Sequence, residues 1–185
     1  MKFVPATSAS STENSPLVEV MDRHSRVLAA MPVSEVRRQQ LCHRSVLILL
    51  YDETGRLFLR KRPRLRGQGP ERWDIPVRSP VLSGESLQDA ATRALDATLG
   101  IHAERMRLVQ VIPPSLENGN EFLHVFTLVR PEGSAQHNQQ DEASGYFFGS
   151  EELGCLLRDF SELVTARFLM LAKAVQLTTL GRRPL

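Results

Sequence analysis

Apolar and polar residues alternate over Leu17–Met21 with the period of two that is typical of a β-strand, and further strand-like runs follow up to residue 62. The turn-forming residues 22–25 separate the first two such runs, and Gly55 can adopt the positive φ that a tight turn requires between the next two. The pattern therefore predicts a short N-terminal hairpin followed by a longer one. The predicted strands are Leu17–Met21, Arg26–Met31, His43–Tyr51 and Arg56–Arg62.

A helical repeat of apolar residues begins near Glu85 and continues to about Leu99, and Gly100 follows it as a natural helix-ending glycine. Ser34 is a candidate cap for an earlier, shorter helix. Strands precede and follow these helices, so the order of elements predicts an α+β fold in which mixed β-sheets are packed by helices. The other predicted strands are Trp73–Val77, Arg105–Ile112, Glu121–Arg130 and Tyr146–Phe148, and the other predicted helices are Glu35–Gln40, Ser150–Leu156 and Ser161–Leu177.

The composition is that of an ordinary globular protein. The chain has 185 residues, of which 42% are hydrophobic and 24% charged, and its net charge is only +2. We expect a single domain over residues 17–180, preceded by a loose Ser/Thr-rich tail over residues 1–16. The two cysteines are far apart, which favours free thiols and a cytoplasmic location. The longest uncharged apolar run, Val46–Tyr51, is much shorter than the roughly 20 residues of a membrane-spanning helix.

The segment from Ser79 to Ile101 resembles the Nudix box, G-x5-E-x7-R-E-U-x-E-E-x-G-U, in which U is a bulky aliphatic residue. The flanking segments Leu41–Arg44, 55–62 and Trp73–Ile75 are similar to the subgroup related to isopentenyl-diphosphate isomerase. The resemblance implies a Nudix fold with an N-terminal β-hairpin extension. It covers about Leu17 to Leu177. The matching box positions are Glu85, Arg93, Leu95, Gly100 and Ile101.

The same resemblance implies that the box is degenerate. In the family, the glutamates of the box hold Mg²⁺ or Mn²⁺ against a diphosphate, whereas this chain has Ala94, Ala97 and Thr98 at those positions and Ser79 in place of the first glycine. On a helical wheel, Asp96 points at least 100° away from those positions, so it cannot substitute for them. We therefore expect no metal ligands and no cofactor here.

Basic residues are concentrated between Arg56 and Arg78, a segment that contains eight basic and only two acidic residues. Arg60 and Arg62 are expected to share one face of a strand, and with Arg78 they are the candidate ligands for phosphate, because a guanidinium binds phosphate through two parallel hydrogen bonds. The alternative is a solvated strand end. A nucleic-acid partner is not favoured because the basic excess is local.

Two carboxylates are candidate catalytic groups. Glu85 matches a box position and Glu142 lies in a loop where some relatives have an auxiliary glutamate. For Glu85, a position near the positive end of the helix dipole is an equally good reason for an acid. Arg93 follows Asp89 by four residues, so an ion pair between them on the helix surface is expected.

These observations lead to a hypothesis with open alternatives. The preferred function is that of a catalytically impaired Nudix hydrolase homologue that binds a phosphate- or diphosphate-bearing small molecule. The first alternative is an active nucleoside-diphosphate-type pyrophosphohydrolase that uses Mg or Mn through a non-standard site. Diphosphate isomerisation is disfavoured because residues 73–80 lack the cysteine and histidine that the isomerases have there. A protein-interaction module and a homodimer are also kept open.

Overall fold

The computed structural model describes residues 15–62, 71–131 and 145–176, which form a mixed β-sheet with helices on both faces. The predicted α+β class with mixed sheets is confirmed. In the described residues, the strands are β1 (Leu17–Met21), β2 (Val27–Pro32), β3 (His43–Tyr51), β4 (Leu57–Lys61), β5 (Trp73–Asp74), β6 (Arg78–Pro80), β7 (Arg107–Ile112), β8 (Glu121–Val129) and β9 (Tyr146–Phe148). The helices are α1 (Val33–Arg38), α2 (Leu87–Leu99), α3 (Ser150–Asp159) and α4 (Ala166–Val175), with a 3₁₀ turn at Ser161–Leu163.

Strand β3 is the centre of the sheet. It pairs in parallel with β8 along its whole length, from His43 opposite Glu121 to Tyr51 opposite Val129. It also makes antiparallel pairs with β1, β4 and β6. Five consecutive apolar residues of β3, Val46–Leu50, are buried, as expected for a strand that is covered on both faces.

The two faces of β3 contribute to different cores because neighbouring side chains of a strand point in opposite directions. Val46, Ile48 and Leu50 pack in the cluster that includes α2. Leu47 and Leu49 pack in the cluster that includes α3 and α4. The helix with the box residues and the C-terminal helix therefore lie on opposite faces of the sheet.

The predicted N-terminal hairpin is formed by β1 and β2, and α1 follows it directly. Val18, Val20 and Val36 make a small separate core under this unit. Strand β1 joins the main sheet through Val20 opposite His43, so the extension is fixed beside the start of β3.

Several predicted element bounds are corrected by the structure. Helix α2 begins at Leu87 and not at Glu85, because the Ser86 hydroxyl caps it by accepting a hydrogen bond from the Asp89 N–H at 3.1 Å. The predicted helix from Ser161 is divided: Thr165 caps a new helix by accepting a hydrogen bond from the Phe168 N–H. The strand predicted at Trp73–Val77 ends at Asp74, and Pro76, which has no N–H to donate, separates it from β6.

Candidate ligand-binding cleft

The connection from β6 to α2 is held by Arg93, which points back from the helix to the loop. Its guanidinium donates hydrogen bonds of 2.7 and 2.8 Å to the two carboxylate oxygens of Glu85, and two further bonds to the Ser79 hydroxyl at 3.1 Å and the Pro80 carbonyl at 3.0 Å. The ion pair predicted between Arg93 and Asp89 is therefore wrong. The helical spacing of four suggested it, but Asp89 instead accepts a hydrogen bond from the capping Ser86 hydroxyl.

Glu85 is fully engaged by this arrangement. One of its oxygens also accepts a hydrogen bond from the Leu82 N–H at 2.9 Å. The hydrogen bonds from Arg93 are the main reason that the pKa of the Glu85 carboxyl lies below its usual value, and the Leu82 N–H lowers it further, while partial burial opposes the shift. The geometry makes Glu85 a structural ionised acid on a rigid loop.

The three box positions that hold acids in the family offer few donors here. Ala94 is buried in the core under α2, Ala97 is exposed, and Thr98 is half-buried. The Arg60 guanidinium reaches the Thr98 carbonyl oxygen in a long contact of 3.5 Å, so a cationic side chain lies close to this end of the helix. Within residues 15–62, 71–131 and 145–176, no three His, Cys, Asp or Glu side chains lie close enough together to hold a metal ion. Two alanines and one threonine do not fit a hard divalent cation, which requires several oxygen ligands.

A cleft of about 350 Å³ opens on the face of the sheet that carries α4. Its lining combines apolar residues with charged ones, among them arginines from four different parts of the chain. The apolar lining comes from Leu47, Ile75, Pro76, Pro80, Phe168 and Leu171, and the polar lining from Arg37, Ser45, Arg62, Asp74, Arg78, Ser79, Glu121 and Arg167.

Two arginines of the cleft are held by carboxylates. Arg62 binds Asp74 with nitrogen–oxygen distances of 2.6 Å, and Arg78 binds Glu121 at 2.6 and 3.0 Å. The Arg78–Glu121 pair is the more buried one, since only 11% of each side chain is exposed. A buried pair of this kind needs further hydrogen bonds to offset the loss of hydration.

Asn118 supplies part of that support. Its side-chain amide is fully buried, accepts hydrogen bonds from the Ser115 and Glu121 N–H groups at 2.9 and 3.1 Å, and donates to the Pro113 and Glu121 carbonyls at 2.8 and 3.0 Å. Its own carbonyl oxygen accepts a bond of 3.1 Å from Arg78. The loop before β8 therefore fixes both members of the Arg78–Glu121 pair.

One nitrogen of Arg78 remains without a partner in the part of the chain that the structure describes. Its Nη1 atom is buried and makes no hydrogen bond there. A buried N–H donor of a charged group is costly to leave unsatisfied, so Arg78 keeps hydrogen-bonding capacity at the wall of the cleft that no described residue uses. The buried His43 also lies beside Glu121, and the distance from its Nε2 to the Glu121 Oε1 is 4.0 Å.

The structure brings together only part of the predicted site. Arg62 and Arg78 both line the cleft, whereas Arg60 is directed to the end of α2 and does not line it. Arg60 and Arg62 were expected to share one face of a strand, but their side chains contact different groups. Strand β4 ends at Lys61, and Arg62, which lies beyond its end, binds Asp74. Glu142 lies outside the described residues.

Sequence reasoning missed two arginines of the cleft, Arg37 and Arg167. Neither lies in the basic stretch from Arg56 to Arg78, and they are 130 positions apart in the chain. The only signal in the sequence was that both are charged residues beside buried apolar ones, Val36 and Phe168, on short helices.

The fold has a helix that matches part of the Nudix box on one face of the sheet and an arginine-lined cleft on the other, and it is that of a Nudix domain. The model of the NUDIX domain family matches residues 42–170, and this chain belongs to that family. An uncharacterised Nudix hydrolase of Pseudomonas aeruginosa is 32% identical over 91 residues, which are 49% of this chain and 54% of that protein. An isopentenyl-diphosphate Delta-isomerase of Nocardia farcinica is 33% identical over 87 residues, or 46% of this chain and 50% of that enzyme. The chain therefore spans about half the length of these curated relatives.

The fold is also found in solved structures. A crystal structure of a Deinococcus radiodurans protein superimposes with a TM-score of 0.64 at 18% identity, and the match covers 86% of this chain and 98% of that one. A Nudix hydrolase of Nitrosomonas europaea matches with a TM-score of 0.50 at 15% identity, over 77% of this chain and 91% of that chain. At these identities, the similarity shows the fold alone. No helix in the described residues is long and apolar enough to span a membrane.

Proposed function

We propose that this protein binds a phosphate-bearing small molecule in the arginine-lined cleft without a divalent metal, and that its hydrolytic activity is impaired. The observation that carries the proposal is the engagement of Glu85, the one box acid that remains, by Arg93 and the Leu82 N–H. A carboxylate that already accepts three hydrogen bonds has little capacity left to bind a cation or to activate water. The positions of the other box acids hold Ala94, Ala97 and Thr98.

The charges of the cleft suit an anionic ligand. Arg78 presents an unpaired and buried Nη1, and Arg62 is a half-exposed guanidinium at the same cleft. Arginine is the side chain best suited to phosphate because its planar group donates two parallel hydrogen bonds. In a cleft that is lined in part by apolar residues, these bonds are less weakened by water than on an open surface. Metal ions neutralise phosphate in many enzymes; here we assign that role to guanidinium groups.

The cleft volume supports a compact ligand. Ligand pockets usually measure roughly 300–1,000 Å³, so a volume of about 350 Å³ lies at the small end of the range. Nudix-family proteins act on phosphate-bearing small molecules. One relative is named an isopentenyl-diphosphate Delta-isomerase, so a short prenyl diphosphate belongs among the ligands to be tested.

Titration calorimetry with inorganic pyrophosphate, isopentenyl diphosphate and adenosine diphosphate tests the proposal. Each titration is made with EDTA and again with Mg²⁺ or Mn²⁺. We expect binding of at least one ligand with EDTA present, an affinity that the metal does not raise for that ligand, and loss of binding in Arg62→Gln. Arg56→Gln is the matched control, because Arg56 pairs with Asp52 at a β-turn away from the cleft.

Phosphate release measured on the same samples tests the alternative, a hydrolase that depends on Mg²⁺ or Mn²⁺. The names of the hydrolase relatives favour this second function. Metal-dependent turnover that Glu85→Gln abolishes would replace our proposal with an active enzyme. The absence of binding to all three probes in EDTA would also overturn it.

A further inference from the structure

The charges that line the cleft are not balanced. Four arginines face two carboxylates, Asp74 and Glu121, and each carboxylate is already paired with one arginine, Arg62 or Arg78. Arg37 and Arg167 are left over. Within residues 15–62, 71–131 and 145–176, neither guanidinium donates a hydrogen bond or lies in an ion pair. The charged residues that line the cleft therefore leave an uncompensated charge of +2, from Arg37 and Arg167.

The electrostatic environment of Arg167 is consistent with an excess of positive charge in the cleft. Loss of hydration at the cleft is the main reason that its pKa is lowered, and the neighbouring Arg78 and Arg62 guanidinium groups lower it further, while Glu121 and Asp74 oppose the shift. An arginine remains charged under all ordinary conditions, so Arg167 keeps its positive charge beside Arg78 and Arg62, and an anion in the cleft would offset both the lost hydration and the repulsion among these guanidinium groups.

The two unpaired arginines come from opposite ends of the chain. Arg37 lies in α1, which belongs to the N-terminal extension and precedes the residues 42–170 matched by the family model. Arg167 lies in the first turn of α4. The extension is held to the domain by the β1–β3 pairing and by the ion pair between Glu19 and Arg44, so the position of Arg37 relative to the cleft is defined by the fold.

We infer that the N-terminal extension completes the ligand site: Arg37, together with Arg167, forms a second cationic pair that selects a doubly charged terminal phosphate over a singly charged anion of the same shape. This inference rests on the proposed function, since it concerns the same cleft. It assigns a recognition role to a segment outside the matched family domain.

The charge count explains why the pair discriminates. A singly charged ligand balances one of the two excess positive charges. A terminal phosphate monoester has a second pKa of about 6, so at a pH well above that value it carries two negative charges and balances both. It also has three oxygens that can accept hydrogen bonds from different arginines. A phosphodiester or a sulfate monoester of similar size brings only one charge.

Phenyl phosphate and phenyl sulfate are matched probes for this test, because they have nearly the same shape and, at about pH 8, differ by one charge. We propose titrations followed by ¹⁵N–¹H NMR of the arginine Nε–H resonances, which detects weak binding and locates it. For the wild type, we expect phenyl phosphate to bind on the order of tenfold or more tightly than phenyl sulfate, which corresponds to a difference of about 1.4 kcal/mol in binding free energy. The Arg62 and Arg78 signals should shift.

Arg37→Gln and Arg167→Gln should each reduce this preference for phenyl phosphate severalfold, with little change for phenyl sulfate. Arg38→Gln is the matched control: it is the next residue of the same helix, it pairs with Glu35, and it does not line the cleft. Thermal unfolding of every variant checks that the fold is retained; within the described residues neither target guanidinium has a hydrogen bond or ion pair to lose, so we expect small effects.

The outcomes separate the two proposals. If both probes bind with equal affinity, or if Arg37→Gln behaves like Arg38→Gln, the inference about the extension is overturned while anion binding in the cleft stands. If neither probe shifts any cleft arginine and the diphosphates do not bind either, the proposed function falls together with the inference.

Discussion

The guanidinium of Arg93 binds both carboxylate oxygens of Glu85 across the first turn of α2, at 2.7 and 2.8 Å. These two residues match box positions that are eight apart in the sequence, yet the contact does not follow the helix surface, because Glu85 lies before the helix cap. Together with the bonds from Arg93 to Ser79 and Pro80, it closes the loop between β6 and α2. The retained part of the box therefore has a structural role in this chain whether or not any chemistry remains.

The first prediction concerns the stability of this loop. Arg93→Gln removes the ion pair and leaves the Pro80 carbonyl without its donor. Hydrogen bonds to charged groups contribute roughly 1.5–3 kcal/mol, and partial exposure reduces this, so we expect a loss of about 1–2 kcal/mol in the free energy of unfolding. Urea denaturation measures it. Arg107→Gln, an exposed residue on β7, should change the stability by less than about 0.5 kcal/mol; an equal loss in both variants would contradict the structural role of Arg93.

The second prediction concerns the pH dependence of the same contact. The folded-state pKa of Glu85 is depressed below its usual value of 4.5, so its contribution to stability is fully present above that value and is lost as the pH falls through the lower folded-state pKa. The stability difference between wild type and Glu85→Gln should therefore be largest near neutral pH and should shrink below about pH 4.5. Urea unfolding at a series of pH values checks this. A difference that is constant down to about pH 3 would mean that Glu85 is not held ionised by Arg93.

The third prediction concerns two glycines near β9. Gly145 has a φ of +102°, and a Cβ added there would lie 2.8 Å from the Leu59 carbonyl oxygen and closer still to the Phe58 ring. Backbone strain and overpacking together predict a loss of roughly 2–5 kcal/mol for Gly145→Ala. Gly154 lies in α3 with no atom near its added Cβ, so Gly154→Ala should instead stabilise the protein by about 0.5–1 kcal/mol. Denaturant unfolding of the two variants should give shifts of opposite sign, and a similar shift for both would refute the packing described here.

The fourth prediction concerns a rebuilt box. Ala94 is 3% exposed and packs in the core under α2, whereas Ala97 is exposed on the same helix. A carboxylate introduced at position 94 loses hydration without an assigned partner, so we expect Ala94→Glu to lower the stability by roughly 2 kcal/mol or more and Ala97→Glu by less than about 0.5 kcal/mol. Thermal and urea unfolding compare the two. Equal tolerance would show that α2 leaves room at position 94 for an acid.

A repair variant shows whether the geometry of a metal site persists. Ser79→Gly, Ala94→Glu, Ala97→Glu and Thr98→Glu together restore the family's box. Mn²⁺ titration calorimetry of this variant should give binding that the wild type lacks if only the ligands were lost. No gain in a folded variant would mean that the surrounding loop, held by Arg93, has been remodelled.

Much of the fold could be predicted from local patterns. The alternation in Leu17–Met21 and the apolar run Val46–Tyr51 identified strands, and Gly100 ended α2 with the left-handed φ of 63° that a C-terminal glycine commonly adopts. Two of the wrong boundaries lie where a capping side chain decides the start of a helix. Others do not: α1 begins at Val33, after Pro32, and not at Glu35 with Ser34 as its cap. Ser86 and Thr165 begin their helices because each hydroxyl accepts a backbone N–H three residues later.

The candidate site was predictable only in part. Arg62 and Arg78 belong to a basic stretch that the sequence displays, but the contacts of Arg60 required knowing where β4 ends and where the Thr98 carbonyl lies. The expected partner of Arg93 was wrong because the four-residue spacing considers one helix alone, while Glu85 approaches from the preceding loop. The homodimer, the cytoplasmic location and the role of Glu142 stay predictions.

The sequence by itself determined the class of fold, the presence of Glu85 and Arg93, and the presence of Ala94, Ala97 and Thr98 at the positions that the resemblance assigns to box acids, since these depend on residue identity and on periodicity over a few neighbouring positions. Only the tertiary structure decided that Arg37 and Arg167, which are distant in the chain, line one cleft with two arginines already paired to carboxylates. The physical reason is that pairing of charges depends on distances of a few ångströms in space. Those distances are set by how the extension and the last helix pack against the sheet.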